Sequence, residues 1–498
     1  MRHPALVPAL VAAVLLAPLV PAAAAPQTVV VLVTGDENGH LLPNTEGEVP
    51  KGGAAQTLGT WTAKDGHCAG QIGKGGAPAC KDGNTLVLST GDHFTGTSLS
   101  SVFQGVPVAE AMSRMGYAAS AMGNHELDFG REQFDKLREI GGFPFLSCNI
   151  RPPSKKSDKE YDLGVKPFAI FERGGVKIGV VGLSPSNVAK SVMSGRFFGN
   201  EVIPYEPALQ SAIPAVRKAG ADVVIVVADE CPTVLEPIVA KHPDWKLAFL
   251  AGGHCHTPVE RKVGTTPLVS PGRWWQRYLR AELSVDGSRP AGQRLVGIET
   301  KVIDVVGGPN APAADAELTA RIQTWQKKHD EALGEKIGYT RSGVDPNSQT
   351  LFSWYGRAIR ERLKVDVAVM NRKGFRGGVQ PGAITAASVY GVMPFDNSLL
   401  TVKLKGKDLL TVLDNPAGVF DGASKQGSTW TVKGKPLDPE ATYTAATFEY
   451  LYFGGDNFPF ERLDPNPGET GVVAQTPVIE WTRKQGTTQD KPLESILH

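Results

Sequence analysis

Unbroken runs of β-branched and aliphatic residues recur through the first half of the chain, each closing on a small or polar turn. Residues 29–34 and 85–89 have this form, which fits strands buried on both faces; half-exposed strands would alternate apolar with polar. Residues 117–122, 176–183, 222–228, 247–250 and 266–270 repeat it. Between them, 108–115 and the polar-faced 131–139 read as helices. Strands alternating with helices predict a layered α/β domain over residues 27–305. The pattern then changes. Residues 309–314 are rich in Pro and Ala, and 315–333 read as a solvent-facing helix, so 306–335 is the expected linker. A second domain of α+β type is expected over 336–498, with a helix at 351–363 and short strands at 366–370, 399–404 and 443–447. The polar tail after residue 478 is expected to lie at the periphery.

Composition narrows the class. Residues 1–25 join Arg2 and His3 to an apolar run broken by Pro8 and Pro18, then to small residues ending at Ala25. That is the form of a secretory signal peptide. No second long apolar run follows, so the mature chain is expected to be exported, periplasmic or extracellular, with no membrane partner. A formal net charge of +1 without a Lys/Arg cluster argues against nucleic acid as a partner. Export permits disulfides. Cys68 and Cys80 bracket a Gly/Lys-rich loop and form the expected pair, Cys148 has a core-like context, and five cysteines leave at least one unpaired.

The chemistry concentrates in three Gly-flanked turns that follow apolar runs: Thr90-Gly91-Asp92, Gly123-Asn124-His125-Glu126-Leu127-Asp128, and Gly252-Gly253-His254-Cys255-His256. Asp36 closes the first strand in the same way. Each block alone is an ordinary turn. Together they offer carboxylate, amide and imidazole groups at the carboxyl ends of several strands, the mixture a two-metal phosphoesterase needs. Asp92 is placed to bridge. His254 and His256 share a face if extended, and serve different metals if the segment turns. His125 follows Asn124, which makes it a proton donor or phosphate stabiliser rather than a third ligand. Asp128, three residues on, is placed to hold its imidazole in one tautomer and keep it protonated. Glu126 is expected to point elsewhere.

Four blocks, Thr34-Gly35-Asp36, Gly91-Asp92, Gly123 to Asp128 and Gly252 to Thr257, make the chain resemble the secreted 5′-nucleotidase family. The resemblance implies a metallophosphoesterase β-sandwich flanked by helices, followed by an α+β substrate-binding domain. It implies two divalent metal ions, with Asp36, Asp92, Asn124, His254 and His256 as ligands, and His125 with Asp128 as a catalytic dyad. Two ligand histidines of the family stand here as Asn38 and Asp229, both still able to bind a hard cation through oxygen. Asp229 adds a third carboxylate to Asp36 and Asp92, so the centre is less positive. Among Mn, Mg, Ca, Co and Zn it should favour the harder Mn, Mg or Ca over Zn, and run best at more alkaline pH. The competing expectation is a nucleotide-binding protein with a degenerate metal centre. Cys255 replaces the family's usual Ser and is expected to pack rather than ligate.

The second half carries its own set: Asn371 to Arg376, Pro394 to Asn397, Phe448 to Tyr450 and Gly454 to Phe458. Two aromatics and a carboxylate suit a stacked base and sugar hydroxyls. The resemblance places Phe395 and Tyr450 on either side of the base, Asp456 on the ribose, and Asn371 and Arg376 near sugar and phosphate. Arg372-Lys373 stands where the family has small residues, and the helix around Ser353 to Arg357 lacks its usual pattern. The implied activity is hydrolysis of nucleoside 5′-monophosphates. Cyclic nucleotides, nucleotide sugars and a sulfur-oxidation-type substrate are the alternatives.

Overall fold

The computed structural model describes residues 26–44, 49–73, 83–152, 162–191, 197, 199–290, 292–395 and 397–497. The leader-like segment 1–25 and Cys80 lie outside the described residues. The first domain is built on β1 (Gln27–Thr34), β2 (Thr85–Ser89), β3 (Tyr117–Ala121), β4 (Phe145–Leu146), β5 (Phe168–Arg173) and β6 (Val176–Leu183). It continues with β7 (Val223–Ala228), β8 (Phe249–Gly252), β9 (Pro258–Val263), β10 (Thr266–Pro271), β11 (Arg277–Val285) and β12 (Leu295–Asp304). They form two six-stranded sheets, in the orders β12-β11-β1-β2-β3-β4 and β9-β10-β8-β7-β6-β5.

The unbroken apolar runs have a direct cause. Val29, Val31 and Val33 face the second sheet across the sandwich, where they meet a core that includes Ile178, Ile225 and Val227. Leu32 faces the other way, into a helix layer with Leu58, Val108, Met112 and Phe134. Val224 and Val226 likewise face an outer helix layer containing Leu209, Ile213 and Leu235. Helices therefore cover both outer faces, and both faces of the central strands must be apolar. Strands β1 to β4 run parallel, as do β6, β7, β8 and β10. Their carboxyl ends bring the Gly-flanked turns together at one rim of the sandwich.

The helix Ala316–Leu333 does more than face solvent. Its N-cap Asp315 accepts from the Leu318 amide and pairs with Arg114. Arg321 pairs with Glu110, which also accepts the Trp325 indole N–H at 2.7 Å. Leu318 and Ile322 join the core of the first domain. The apolar positions of this helix form a docking stripe on the first domain.

The second domain holds a five-stranded sheet of β13 (Val367–Asn371), β14 (Ser398–Lys405), β15 (Gly418–Asp421), β16 (Thr442–Phe448) and β17 (Gly468–Val473), in the order β15-β13-β16-β14-β17. The helix Gln349–Leu363 packs on it. The expectation of a peripheral tail is wrong. The helix Gln475–Gln485 packs against Gln349–Leu363, and Val478, Trp481, Leu493 and Leu497 belong to the core. Its polar residues mask this role: Thr482 is buried because its hydroxyl accepts the Trp354 indole N–H at 2.8 Å.

Candidate active site

Asp36, Asn38, Asp92, His254 and His256 all adopt left-handed backbone angles, with φ of 51°, 41°, 60°, 66° and 58°. Each such position costs roughly 1 kcal/mol or more for a non-glycine residue, and such strain gathers at functional sites. The turns also approach one another too closely for side chains. A Cβ on Gly123 would lie 2.3 Å from Asp92 Oδ1 and 2.8 Å from Asp229 Oδ2. A Cβ on Gly35 would lie 1.7 Å from Thr90 Oγ1.

The carboxylates divide their oxygens between backbone and site. Asp92 Oδ1 accepts the amides of Asn124 and His125, both at 3.0 Å, and its Oδ2 lies 3.9 Å from His254 Nδ1. Asp36 Oδ1 accepts the His254 amide at 2.8 Å, while Oδ2 has no hydrogen-bond partner. His254 Nδ1 lies 3.5 Å from Asp229 Oδ2, whereas His256 Nε2 lies 3.8 Å from Asp36 Oδ1. The segment turns, and its two imidazoles address different carboxylates. Asp92, Asp229 and His254 bring ligand atoms within 4.8 Å of one another.

A metal fits this cluster on polar accounting alone. Asp36 Oδ2, both Asn38 amide atoms, Asn124 Oδ1, both Asp229 oxygens and His254 Nδ1 are buried without hydrogen-bond partners. Buried polar atoms left unpaired at this density are too costly to be incidental. The electrostatics agree. Burial, reinforced by Asp229 and Asp92, holds the Asp36 carboxyl well above the usual range. Burial and the Asp92 charge push Asp229 up to about 7. Burial opposes protonation of His254, but Asp229 and Asp92 outweigh it and push the imidazole up to about 12. Two clustered carboxylates and an imidazole that are all pushed toward holding protons are what a bound cation would relieve.

Behind the cluster, the chain neighbours of three of these residues interlock. Glu37 accepts from His93 Nδ1 at 2.7 Å, His93 Nε2 meets Ser120 Oγ at 2.7 Å, and the His93 amide donates to Glu126 Oε1 at 3.0 Å. All three titratable groups are fully buried. Burial opposes the charged form of His93, yet Glu37 raises its pKa, so an ion pair ties the Asp36, Asp92 and Asn124 loops together from below. Glu126 does point away from the cluster. Neither Glu37 nor His93 carries a periodic signal in the sequence.

Beside the cluster, His125 Nδ1 meets Asp128 Oδ2 at 2.7 Å. Burial disfavours its charge, but Asp128 and Asp92 raise its pKa and favour the imidazolium. A cavity of about 530 Å³ runs from this dyad into the second domain. Asn371, Arg376, Phe395, Tyr450 and Asp456 all line it, as do Asp92, Asn124, His254 and His256. Asp36, Asn38 and Asp229 lie behind, nearly inaccessible. Asn371 Nδ2 donates to Asp456 Oδ2 at 2.7 Å. Phe395 stacks on His125 at 5.8 Å between centroids and carries the Arg376 guanidinium at 5.1 Å. Asn187, Phe129 and Arg273 also line the cavity and have no signature in the sequence.

The family model for the 5′-nucleotidase C-terminal domain matches residues 335–429. Protein UshA of Yersinia enterocolitica is 28% identical, with 94% of each chain covered. A 5′-nucleotidase of Vibrio cholerae is 28% identical over 78% of this chain and 81% of its own. The chain is similar to 5′-nucleotidases over most of its length. Its fold matches the crystal structure of a 5′-nucleotidase precursor from Thermus thermophilus, with a TM-score of 0.75, 20% identity, and 93% and 97% of the two chains covered.

The chain carries a device at the rim of the site that the sequence pattern does not reveal. Cys255 does not simply pack. It forms a disulfide with Cys231, two residues beyond Asp229, and the bridge joins the loop after β7 to the loop after β8. The expectation that Cys255 packs holds only for an extended segment, and the turn brings the two sulfurs together. Cys68 is disulfide-bonded, while its expected partner Cys80 is outside the described residues. Cys148 is a free, half-buried thiol.

Proposed function

We propose that this chain is an exported, metal-dependent phosphomonoesterase that releases phosphate from nucleoside 5′-monophosphates. The observation that carries the reading is a shared cavity in which Asp92, Asn124, His254 and His256, backed by the unpaired oxygens of Asp36 and Asp229, lie with a pair of aromatics, Phe395 and Tyr450, and the Asn371–Asp456 pair. The names of the relatives support the same reaction class. The leader-like segment 1–25 supports export, and among the described residues no helix is long and apolar enough to cross a membrane.

Two divalent cations fit the donor set. Asp36, Asn38 and His256 would hold one, Asn124, Asp229 and His254 the other, with Asp92 between them. Such ions supply the positive charge that polarises phosphoryl oxygens and acidifies water. With Asn38 and Asp229 in place of imidazoles, the set is oxygen-rich, so Mn, Mg or Ca should serve better than Zn or Co.

The remaining work belongs to the chain itself. Asp128 fixes His125 through Nδ1, which leaves the Nε2–H facing the cavity for a phosphoryl or leaving oxygen. Arg376 stands 3.5 Å from that nitrogen and adds a second cationic donor. Phe395 and Tyr450 take the base. Burial pushes the Tyr450 phenol up to about 12, so its ring stays neutral at any working pH. Asn371 and Asp456, already hydrogen-bonded to one another, are oriented for the ribose hydroxyls.

Phosphate release by the metal-reconstituted mature protein should be compared across AMP, UMP, a cyclic nucleotide, a nucleotide sugar and p-nitrophenyl phosphate. The nucleoside monophosphates should give the highest kcat/KM. Preference for another ester would redirect the substrate assignment, and nucleotide binding without turnover of any ester would make the chain a binding protein.

A further inference from the structure

Arg273 is a cationic side chain of the cavity to which the reaction above gives no task. It follows β10, on the metal side of the cavity, and no residue of the described structure hydrogen-bonds or ion-pairs with its guanidinium. It is nevertheless held. Its Cζ sits 3.7 Å over the centroid of Trp274, whose ring also stacks on His40 at 3.9 Å and 17°. Two groups this close to one indole must occupy opposite faces. The indole in turn is fixed to the metal loop: the Trp274 amide donates to the Asp36 carbonyl at 2.9 Å. Trp275 beside it is fully buried, with its indole N–H on Tyr117 at 2.9 Å.

Stacking engages the flat face of a guanidinium and leaves its in-plane N–H donors free. The carboxylates that line the cavity are already committed. Asp92 holds two backbone amides and borders the metal cluster, Asp128 holds His125, and Asp456 holds Asn371. The cationic side chains of the cavity that form no salt bridge among the described residues come from both domains, Arg273 from the first, Lys373 and Arg376 from the second. Preformed cationic donors that converge without a protein anion fit an oxyanion ligand, and a fork-shaped guanidinium fits tetrahedral oxygens.

We propose that Arg273 binds the substrate phosphoryl group from the metal-domain side, opposite Arg376, so that the phosphate is gripped by both domains. The assignment rests on the phosphoesterase reading and deepens it. It also bears on specificity. A monoester presents three non-bridging oxygens, enough for metals and two guanidinium groups, whereas a diester presents two. Arg273 therefore favours monoesters.

The test is calorimetric titration of inorganic phosphate into metal-reconstituted wild type, Arg273→Gln and Arg273→Lys, with kcat and KM for AMP measured alongside. Arg273→Gln should weaken phosphate binding by about tenfold or more and raise KM by a similar factor. Arg273→Lys should fall between, since it keeps the charge and loses the fork. Unchanged phosphate affinity in folded Arg273→Gln would overturn the proposal, whatever the turnover. Should Arg273→Gln fail to fold, Arg273→Lys decides alone: weakened phosphate binding supports the site, and wild-type affinity rejects it. The two readings fail separately. Phosphate binding that depends on Arg273 in a protein inert toward AMP would refute the nucleotidase reading and leave the phosphate site standing.

Discussion

His125 Nε2 and Arg376 Nη2 meet 3.5 Å apart across the two domains. Burial works against charge on both, yet Asp128 and Asp92 favour the imidazolium. Two cationic donors held this close in a secluded cavity repel one another unless an anion lies between them. On the proposed phosphoesterase reading, their approach marks the position a phosphoryl oxygen would take. It also places the dyad, on the loop after β3, in the same cavity as residues that follow β13.

The Asp128 charge should set the alkaline limb of the reaction. With His125 as the proposed donor, activity should fall as pH rises through its raised pKa. Asp128→Asn removes the charge that does most to raise it, and the alkaline limb of kcat should move to lower pH. The rate at the optimum should drop about 100-fold or more. A pH–rate profile of the two proteins checks this. An unmoved limb would detach His125 from the rate.

Stability should depend on pH and metal together. In the metal-free protein, burial raises the Asp36 and Asp229 pKa values, the latter to about 7. Unfolded aspartates titrate at about 3.9. Between those values the folded chain keeps protons that the unfolded chain has lost, so metal-free stability falls as pH rises across that window. Bound cations require the ionised carboxylates and reverse the trend. The gain in Tm on adding Mn should therefore widen from pH 5 to pH 8. A gain that stays constant with pH would argue against a carboxylate cluster that holds metal.

Metal choice should follow Asn38 and Asp229. Exchanging both for imidazole, Asn38→His with Asp229→His, should shift preference from Mn toward Zn by about tenfold or more in relative affinity. Competition titrations with the two metals measure it. The single change Asp229→Ala should weaken binding of every metal, because it leaves His254 Nδ1 facing only Asp92.

The Cys231–Cys255 bridge joins the loops that carry Asp229 and His254. With a sequence separation of 24 between its ends, its loss should cost about 3 kcal/mol of stability by loop-closure entropy. Cys231→Ser with Cys255→Ser should also loosen both loops and weaken metal binding several-fold. Thermal melts and metal titrations read the two effects separately. Equal metal affinity in the folded double variant would limit the bridge to a stabilising role.

The first domain was legible because its central strands are buried on both faces. Continuous runs such as Val223 to Val227 carry a signal that no polar face interrupts. The hairpin of β11 and β12 is half exposed, mixes charges into the pattern, and escaped notice. The C-terminal helix escaped for a related reason: hydrogen bonds let polar residues such as Thr482 occupy core positions. At the site, the side chains on Gly-flanked turns could be read from residue type and spacing. The support beneath them, Glu37 and His93, could not be, because buried ion pairs depend on contacts between distant loops. Arg273 and Cys231 were hidden likewise, since their roles exist only where the loops after β7, β8 and β10 meet.

The decisive measurement is phosphate release from AMP by the mature protein, stripped of metal and then titrated with Mn. The stripped protein should be inert, activity should return with the cation, and His125→Ala should remain at least about 100-fold slower at saturating metal. Full activity in the stripped protein, or an undiminished rate in His125→Ala, would refute a metal-dependent hydrolysis assisted by His125.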